Sequence, residues 1–259
     1  MTRLTVPARA TRAALVTGAV VALAATATAC ASAGDDEHPD RRSFALRGDT
    51  LTVDSDDSAL EIVASDAHTE GTVAVTRWFD GSVVAGEAPE VTWAMKGDRL
   101  VLRMHCSGLV ADCSARHRVE VPRGVAVTVE DDDGSVRARG FRDALSIRTS
   151  DGSVRVTDSS GPLDLRTDDG SVRAEVASRK VSARTRDGSV RLDLSAVPDR
   201  VESVTGDGSV TIALPRAAYR VTTRTGDGAV DVSVPRDDSS AHVVTARTDD
   251  GEVTVRNAN

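Results

Sequence analysis

Through the second half of the chain small apolar residues recur at every second position, and the alternation restarts at each Asp-Gly dipeptide. From about residue 125 the dipeptide stands at Asp133-Gly134, Asp151-Gly152, Asp169-Gly170, Asp187-Gly188, Asp207-Gly208, Asp227-Gly228 and Asp250-Gly251, in steps of 18, 18, 18, 20, 20 and 23 residues. Three residues after each Asp comes a valine: Val136, Val154, Val172, Val190, Val210, Val230 and Val253. Two further on come Ala138, Val156, Ala174, Leu192, Ile212, Val232 and Val255, and six before the Asp come Val127, Leu145, Leu163, Val181, Val201, Val221 and Val244. Period-2 columns on both sides of a turn predict two short strands per repeat, each with one buried face. Two residues before the Asp, six of the seven repeats carry threonine (Thr149, Thr167, Thr185, Thr205, Thr225 and Thr248), which can bury its methyl while its hydroxyl satisfies turn backbone.

Asp-Gly between alternating strands is also a hairpin signal, so an antiparallel meander or sandwich competes with a coil. Regularity favours the coil, because in a β-solenoid each column stacks on itself at one strand spacing, whereas successive hairpins have no need of the same residue at the same offset. The fold expected is therefore all-β: a single-stranded, β-helix-like solenoid with rungs of 18 to 23 residues. The Asp and Gly of each pair are expected as turn residues, Asp bonding its own backbone and Gly taking positive φ.

The repeat x-V-x-V-x-T-x-D-G-S-V-x-V, preceded by His117-Arg118-Val119-Glu120-Val121-Pro122-Arg123-Gly124-Val125, resembles the bacterial β-strand-repeat family labelled "putative adhesin", otherwise of unknown function. The resemblance spans roughly residues 44 to 257. It implies a β-solenoid exported to the envelope, with no catalytic residues assigned; a label taken from fold carries little mechanism.

Residues 44–124 are less regular but still alternate, at Leu51-Thr52-Val53, Leu60-Glu61-Ile62-Val63, Thr72-Val73-Ala74-Val75, Val91-Thr92-Trp93 and Leu100-Val101-Leu102. Four of the six aromatics, Phe44, Trp78, Phe79 and Trp93, lie there. This segment is expected to cap the repeat stack of residues 125–259, since terminal rungs must close an apolar end.

Ahead of it, Arg3, Arg9 and Arg12 lead into an Ala-rich apolar run ending Ala27-Thr28-Ala29-Cys30. A basic start, a short apolar stretch and small residues make a secretory signal over residues 1–29. The sequence resembles a lipobox, which implies lipidation of Cys30 and anchoring at the extracytoplasmic face of the cell membrane, with Ala where Leu is usual. Two or more acyl chains anchor stably where one does not. An uncleaved membrane anchor is the alternative, though the apolar stretch is marginal in length for a span. Residues 30–43, small, charged and Pro-containing after the cysteine, read as a flexible tether.

Composition narrows the picture. The chain of 259 residues is 40% hydrophobic but 2% aromatic, so small aliphatics must fill its core. Beyond residue 30 there are 29 basic and 40 acidic residues, a formal net charge of -11, which excludes a generally basic nucleic-acid binder. Lys96 and Lys180 are the only lysines, and the arginines form two columns expected to face solvent. One is Arg137, Arg155, Arg173 and Arg191; the other is Arg148, Arg166, Arg184, Arg224 and Arg247, broken by Val204. Pairing with Asp164, Glu175 and Asp193 is the bland account of these ladders; an anion-binding stripe for an envelope polymer or lipid headgroups is the functional one.

In an exported chain Cys106 and Cys113 are expected to form a disulfide. A metal site of His105, Cys106, Cys113 and His117 matches no common zinc spacing. Calcium-binding solenoids need two glycine-rich nonapeptides per coil, and one Asp-Gly per coil falls short of that. No metal and no cofactor are expected. The function expected is that of a non-catalytic surface lipoprotein meeting an anionic envelope polymer or another envelope protein. An accessory in envelope-stress sensing through a membrane partner is the regulatory alternative, and a polysaccharide-acting β-helix enzyme the catalytic one, against which the short turns argue.

Overall fold

In a computed structural model the residues described are 38–67 and 71–258, all within one compact unit, Ala31–Asn259. The predicted signal segment and Cys30 lie outside the described residues. Among the described residues every regular element is a strand. Seven strands come first: β1 Asp40–Ala45, β2 Thr50–Ser55, β3 Ser58–Ser65, β4 Thr72–Gly86, β5 Glu90–Lys96, β6 Arg99–His105 and β7 Gly108–Pro122. Strand β1 starts inside the segment expected as tether, where Asp40 pairs with Arg77 at 2.6 Å.

Each repeat then supplies two strands, as the columns predict: β8 Ala126–Asp131 and β9 Val136–Arg139, β10 Leu145–Thr149 and β11 Val154–Thr157, β12 Leu163–Thr167 and β13 Val172–Val176, β14 Lys180–Arg184 and β15 Val190–Leu194. The last three pairs are β16 Arg200–Val204 and β17 Val210–Leu214, β18 Arg220–Arg224 and β19 Val230–Val232, β20 Val243–Arg247 and β21 Val253–Asn257.

The two strands of a repeat never pair with each other. They go to different sheets, one ordered β1-β4-β7-β3-β9-β11-β13-β15-β17-β21-β19 and the other β18-β20-β16-β14-β12-β10-β8-β2-β6-β5. Within each, equivalent strands of neighbouring repeats pair parallel and in register: Val154 lies between Val136 and Val172, and Leu145 between Val127 and Leu163. The repeats therefore contain no hairpin at Asp-Gly. Antiparallel pairing is confined to the first seven strands, where β4 joins β1 and β7, and β5 joins β6. One apolar cluster draws on both sheets; its repeat-derived part is the valine, leucine and alanine columns, with Phe44 at the N-terminal side.

The glycine after each Asp answers to crowding more than to backbone sign. Positive φ occurs at Gly188, Gly208, Gly228 and Gly251 and not at Gly134, Gly152 or Gly170, so the expectation of positive φ at every turn is corrected. What the seven share is approach: a Cβ on Gly152 would collide with the carbonyl oxygen of Gly134 one rung away, and one on Gly188 with that of Gly170. The Asp contributes its carbonyl, which accepts the amide of a neighbouring rung's glycine, as from Gly170 to Asp187 at 2.9 Å and from Gly188 to Asp207 at 2.8 Å.

The stack does not follow chain order at its C-terminal end. Strands β20 and β21 insert between the rung of β16 and β17 and the rung of β18 and β19. The last repeat in sequence is thus an interior rung, with Val244, Ala246, Val253 and Val255 all at 0% exposure, and the open edge belongs to β18 and β19, where Val230 is 46% exposed. At the inward position where β20 presents Ala246, β18 presents Thr223, but interior β16 presents Ser203 there at 0% exposure, so polarity in this column does not by itself set the order. Tyr219, fully buried with its hydroxyl donating to the Pro215 carbonyl at 2.7 Å, helps to close this end.

Candidate functional site

The threonine column ties the turns of neighbouring rungs together. Thr167, Thr185, Thr205 and Thr248 donate to the carbonyls of Gly152, Gly170, Gly188 and Gly208 at 2.8 to 2.9 Å, each across one rung. Thr225 donates to Gly251 at 3.0 Å, which follows the inserted rung rather than chain order. A regular backbone of this kind fixes the outward side chains at one strand spacing.

On the sheet containing β9, register aligns Arg118, Glu61, Arg137, Arg155, Arg173 and Arg191, then Thr211. Arg155 and Arg173 share Glu175, at 3.1 and 2.8 Å, and Arg191 meets Asp193 at 2.9 Å. The Arg173 hydrogen bond leads the effects that hold the Glu175 carboxyl below the usual range, with Arg155 adding to it. Arg137 forms no ion pair among the described residues; it borders a shallow depression with Glu61, Arg139, Arg155 and Thr157.

On the opposite sheet the column runs Glu130, Arg148, Arg166, Arg184, Val204, Arg247, Arg224. Here Asp164 is the shared counter-ion, 3.9 Å from Arg148, 3.1 Å from Arg166 and 3.8 Å from Arg184, while Arg184 also reaches Glu202 at 2.7 Å. Both predicted ladders exist, and both are interleaved with acids. The surface is a lattice of mixed charge in which Arg137 on one sheet and Arg224 and Arg247 on the other form no ion pair among the described residues.

The Asp-Gly corner forms a third column, acidic. Hydrogen bonding to Asp133 raises the Asp151 carboxyl and hydrogen bonding to Asp169 raises that of Asp187; Asp169 itself is held low, by Asp187 and then by Arg186 at 3.3 Å. Among the described residues no three of His, Cys, Asp and Glu are grouped to hold a metal ion.

Cys106 and Cys113 are joined as a disulfide, with Cα atoms 6.3 Å apart. It fastens the end of β6 to the ribbon of β4 and β7, whose tip exposes Val84, Leu109 and Val110. The four-residue metal set is not assembled: both thiols are consumed, His105 is exposed, and His117 is fully buried beside Trp93. Burial, and then the Arg77 guanidinium, push His117 down to about 4, so it stays neutral.

One group escaped the sequence reading. Asp131 occupies the threonine column in the first repeat, opposite Thr149, and it is buried. The seventh member missing from that column was the available signal.

The sequence profile described as Toastrack DUF4097 matches residues 117–256. No curated protein matches the chain. Among solved structures, a "putative adhesin" from Bacteroides fragilis NCTC 9343 is similar at TM-score 0.53 and 12% identity, covering 86% of this chain and 98% of its own. Proteins so described from Parabacteroides distasonis ATCC 8503 and Parabacteroides merdae ATCC 43184 align at TM-scores 0.43 and 0.42, with 12% and 10% identity. They cover 87% and 86% of this chain and 98% and 97% of their own.

Proposed function

The chain belongs to the Toastrack DUF4097 family, and from that premise we propose that it is a non-catalytic β-solenoid presenting a repeated charged face to an anionic polymer of the bacterial cell envelope. The observation that carries this reading is the in-register column Arg137, Arg155, Arg173 and Arg191 on an outer sheet face, fixed at one strand spacing by parallel pairing. A polyanion has a periodic backbone of its own, and a periodic row of guanidiniums can meet it with many weak contacts at once. The local acids keep each contact weak, so binding depends on length. The adhesin description of the Bacteroides fragilis protein fits a surface role of this kind.

In the same proposal Cys30 is acylated after removal of residues 1–29, and the folded unit is held at the extracytoplasmic face of the membrane. Incorporation of an alkynyl palmitate label, lost in Cys30→Ser, tests the anchor. Surface-immobilised long-chain polyphosphate tests the face. Binding that weakens steeply with salt and is lost in Arg155→Ser plus Arg173→Ser supports the proposal, and binding unchanged by that double substitution refutes it.

A further inference from the structure

Asp131 ends β8 in register with Thr149 of β10. Six repeats place a hydroxyl at this position, and in each it donates to a turn carbonyl, Thr149 itself to Asp132 at 3.0 Å. The first repeat places a carboxyl there instead. Asp131 is 5% exposed and neither of its oxygens has a hydrogen-bond partner. The hydroxyls of Ser55 and Ser58, at 3% and 0% exposure, are unpartnered as well.

These orphaned groups gather at one joint. Ser55 ends β2 and Ser58 opens β3, the strands that pair with β8 and β9 and so couple the N-terminal region to the first repeat. Gly134 sits against the Ser58 carbonyl and the Asp131 carboxyl, so close that a Cβ there would lie 2.6 Å from Oδ2. A buried carboxylate without a well-formed hydrogen bond is a costly group, whereas a neutral carboxylic acid carries a proton it can donate as a threonine does.

We infer that Asp131 is a proton-responsive latch between the N-terminal strands and the repeat stack: protonated, it supplies the turn hydrogen bond that threonine supplies in the other rungs, and ionised, it loosens the joint.

The surrounding charges favour the proton. Asp56 and Asp57 stand on the turn between β2 and β3, and Glu130, Asp132 and Asp133 flank the group on its own strand and turn. From β10 and its turn come Arg148 and Asp151, and from the next rung Arg166 and Asp168. The cations there are engaged elsewhere, since Arg148 and Arg166 both lie toward Asp164. Asp54, at the end of β2, is held by Arg99 and Arg103 at 2.7 Å each. Burial pushes Asp131 up to about 7, with Asp132 and Asp56 adding to it; the Ser55 hydroxyl and the Gly134 amide lie near the carboxyl and pull the other way, but neither makes a well-formed hydrogen bond to it, and burial outweighs them.

The folded chain then keeps a proton that the unfolded chain gives up near the ordinary carboxyl value of 3.8, so stability falls as pH rises from about 4 and levels off above about 7. The test is urea unfolding of the full chain between pH 5 and 8 for the wild type, Asp131→Thr and Asp131→Asn. The wild-type unfolding constant is expected to rise at least about tenfold more over this range than that of either variant. Asp131→Thr is expected to be the more stable protein at pH 8, because it completes the column. Amide hydrogen exchange supplies a local readout: after correction for intrinsic rates, amides of residues 56–60 and 132–136 open more often at pH 8 than at pH 5 in the wild type alone. Parallel pH profiles for wild type and Asp131→Thr, or an Asp131→Thr protein less stable than wild type at pH 8, overturn the inference.

Discussion

Thr167 donates its hydroxyl to the carbonyl oxygen of Gly152 at 2.9 Å, a bond that spans 15 residues of sequence but only one rung of the stack. The acceptor lies in a buried turn, so removing the donor leaves a carbonyl that water reaches poorly. Thr167→Val keeps shape and methyl packing while deleting the hydroxyl. It is expected to cost about 1–2 kcal/mol in urea unfolding. Thr167→Ser, which restores the donor, should recover more than half of that loss; equal losses for both variants would assign the column to packing alone.

The inserted rung gives an outcome that chain order would reverse. Val253 stands six residues from the last residue yet is fully buried, while Val230 is 46% exposed on the terminal rung. Val253→Asp puts an unpaired charge into the core and is expected to cost more than about 3 kcal/mol. Val230→Asp should cost less than about 1 kcal/mol, as at other open positions. Thermal unfolding of the two variants decides between this stack and one in which repeats follow chain order, for which the last repeat would be the tolerant one.

The disulfide is a local device. Cys106 and Cys113 are seven residues apart in sequence and sit on the ribbon whose tip exposes Leu109 at 85%. Closing so short a loop contributes about 2.5 kcal/mol in the loop-entropy description. Because the bridge touches no repeat strand, the Cys106→Ser, Cys113→Ser double variant is expected to raise hydrogen exchange in residues 80–86 and 106–114 while leaving β10 to β17 protected as before. Loss of protection throughout the stack would show that the ribbon supports the whole fold.

Much of this architecture was legible because repeats stacked in register write their geometry into columns. The seven valines from Val136 to Val253 gave the strand, its buried face and its register at once, and the threonines gave the turn chemistry. Rung order was not legible: Val221 and Val244 are equivalent in pattern, and nothing local says which of them lies deeper. Along the inward columns Thr223 against Ala246 is the one difference between these two rungs, and Ser203, fully buried at the same position of β16, shows that a polar residue there does not mark an end rung. The arginine ladders were legible as columns but not as a charge field, since Glu175 serves Arg155 from a different rung and Asp164 serves three arginines, and such sharing is decided across rungs. Asp131 passed unremarked because one exception in seven reads as noise until the buried, partnerless carboxyl is seen in place.

Glu175 sets the strength of the proposed polymer face. Arg155 and Arg173 both reach its carboxylate, and the Arg173 hydrogen bond leads in depressing its pKa. A carboxyl held low in the folded state contributes stability that is present above its unfolded value and is lost as pH falls through the folded one. Glu175→Gln should therefore weaken the fold slightly at neutral pH and leave it unchanged in strong acid, the small effect of a half-exposed pair. Its effect on binding should be opposite in sign and larger. With the shared carboxylate neutral, two guanidiniums in register become free to meet an external anion, so affinity for long-chain polyphosphate is expected to rise severalfold, with a steeper dependence on salt. Titrations of wild type and Glu175→Gln at two salt concentrations make the measurement. Weaker or unchanged binding by Glu175→Gln would show that the arginines serve the acids beside them and no outside partner.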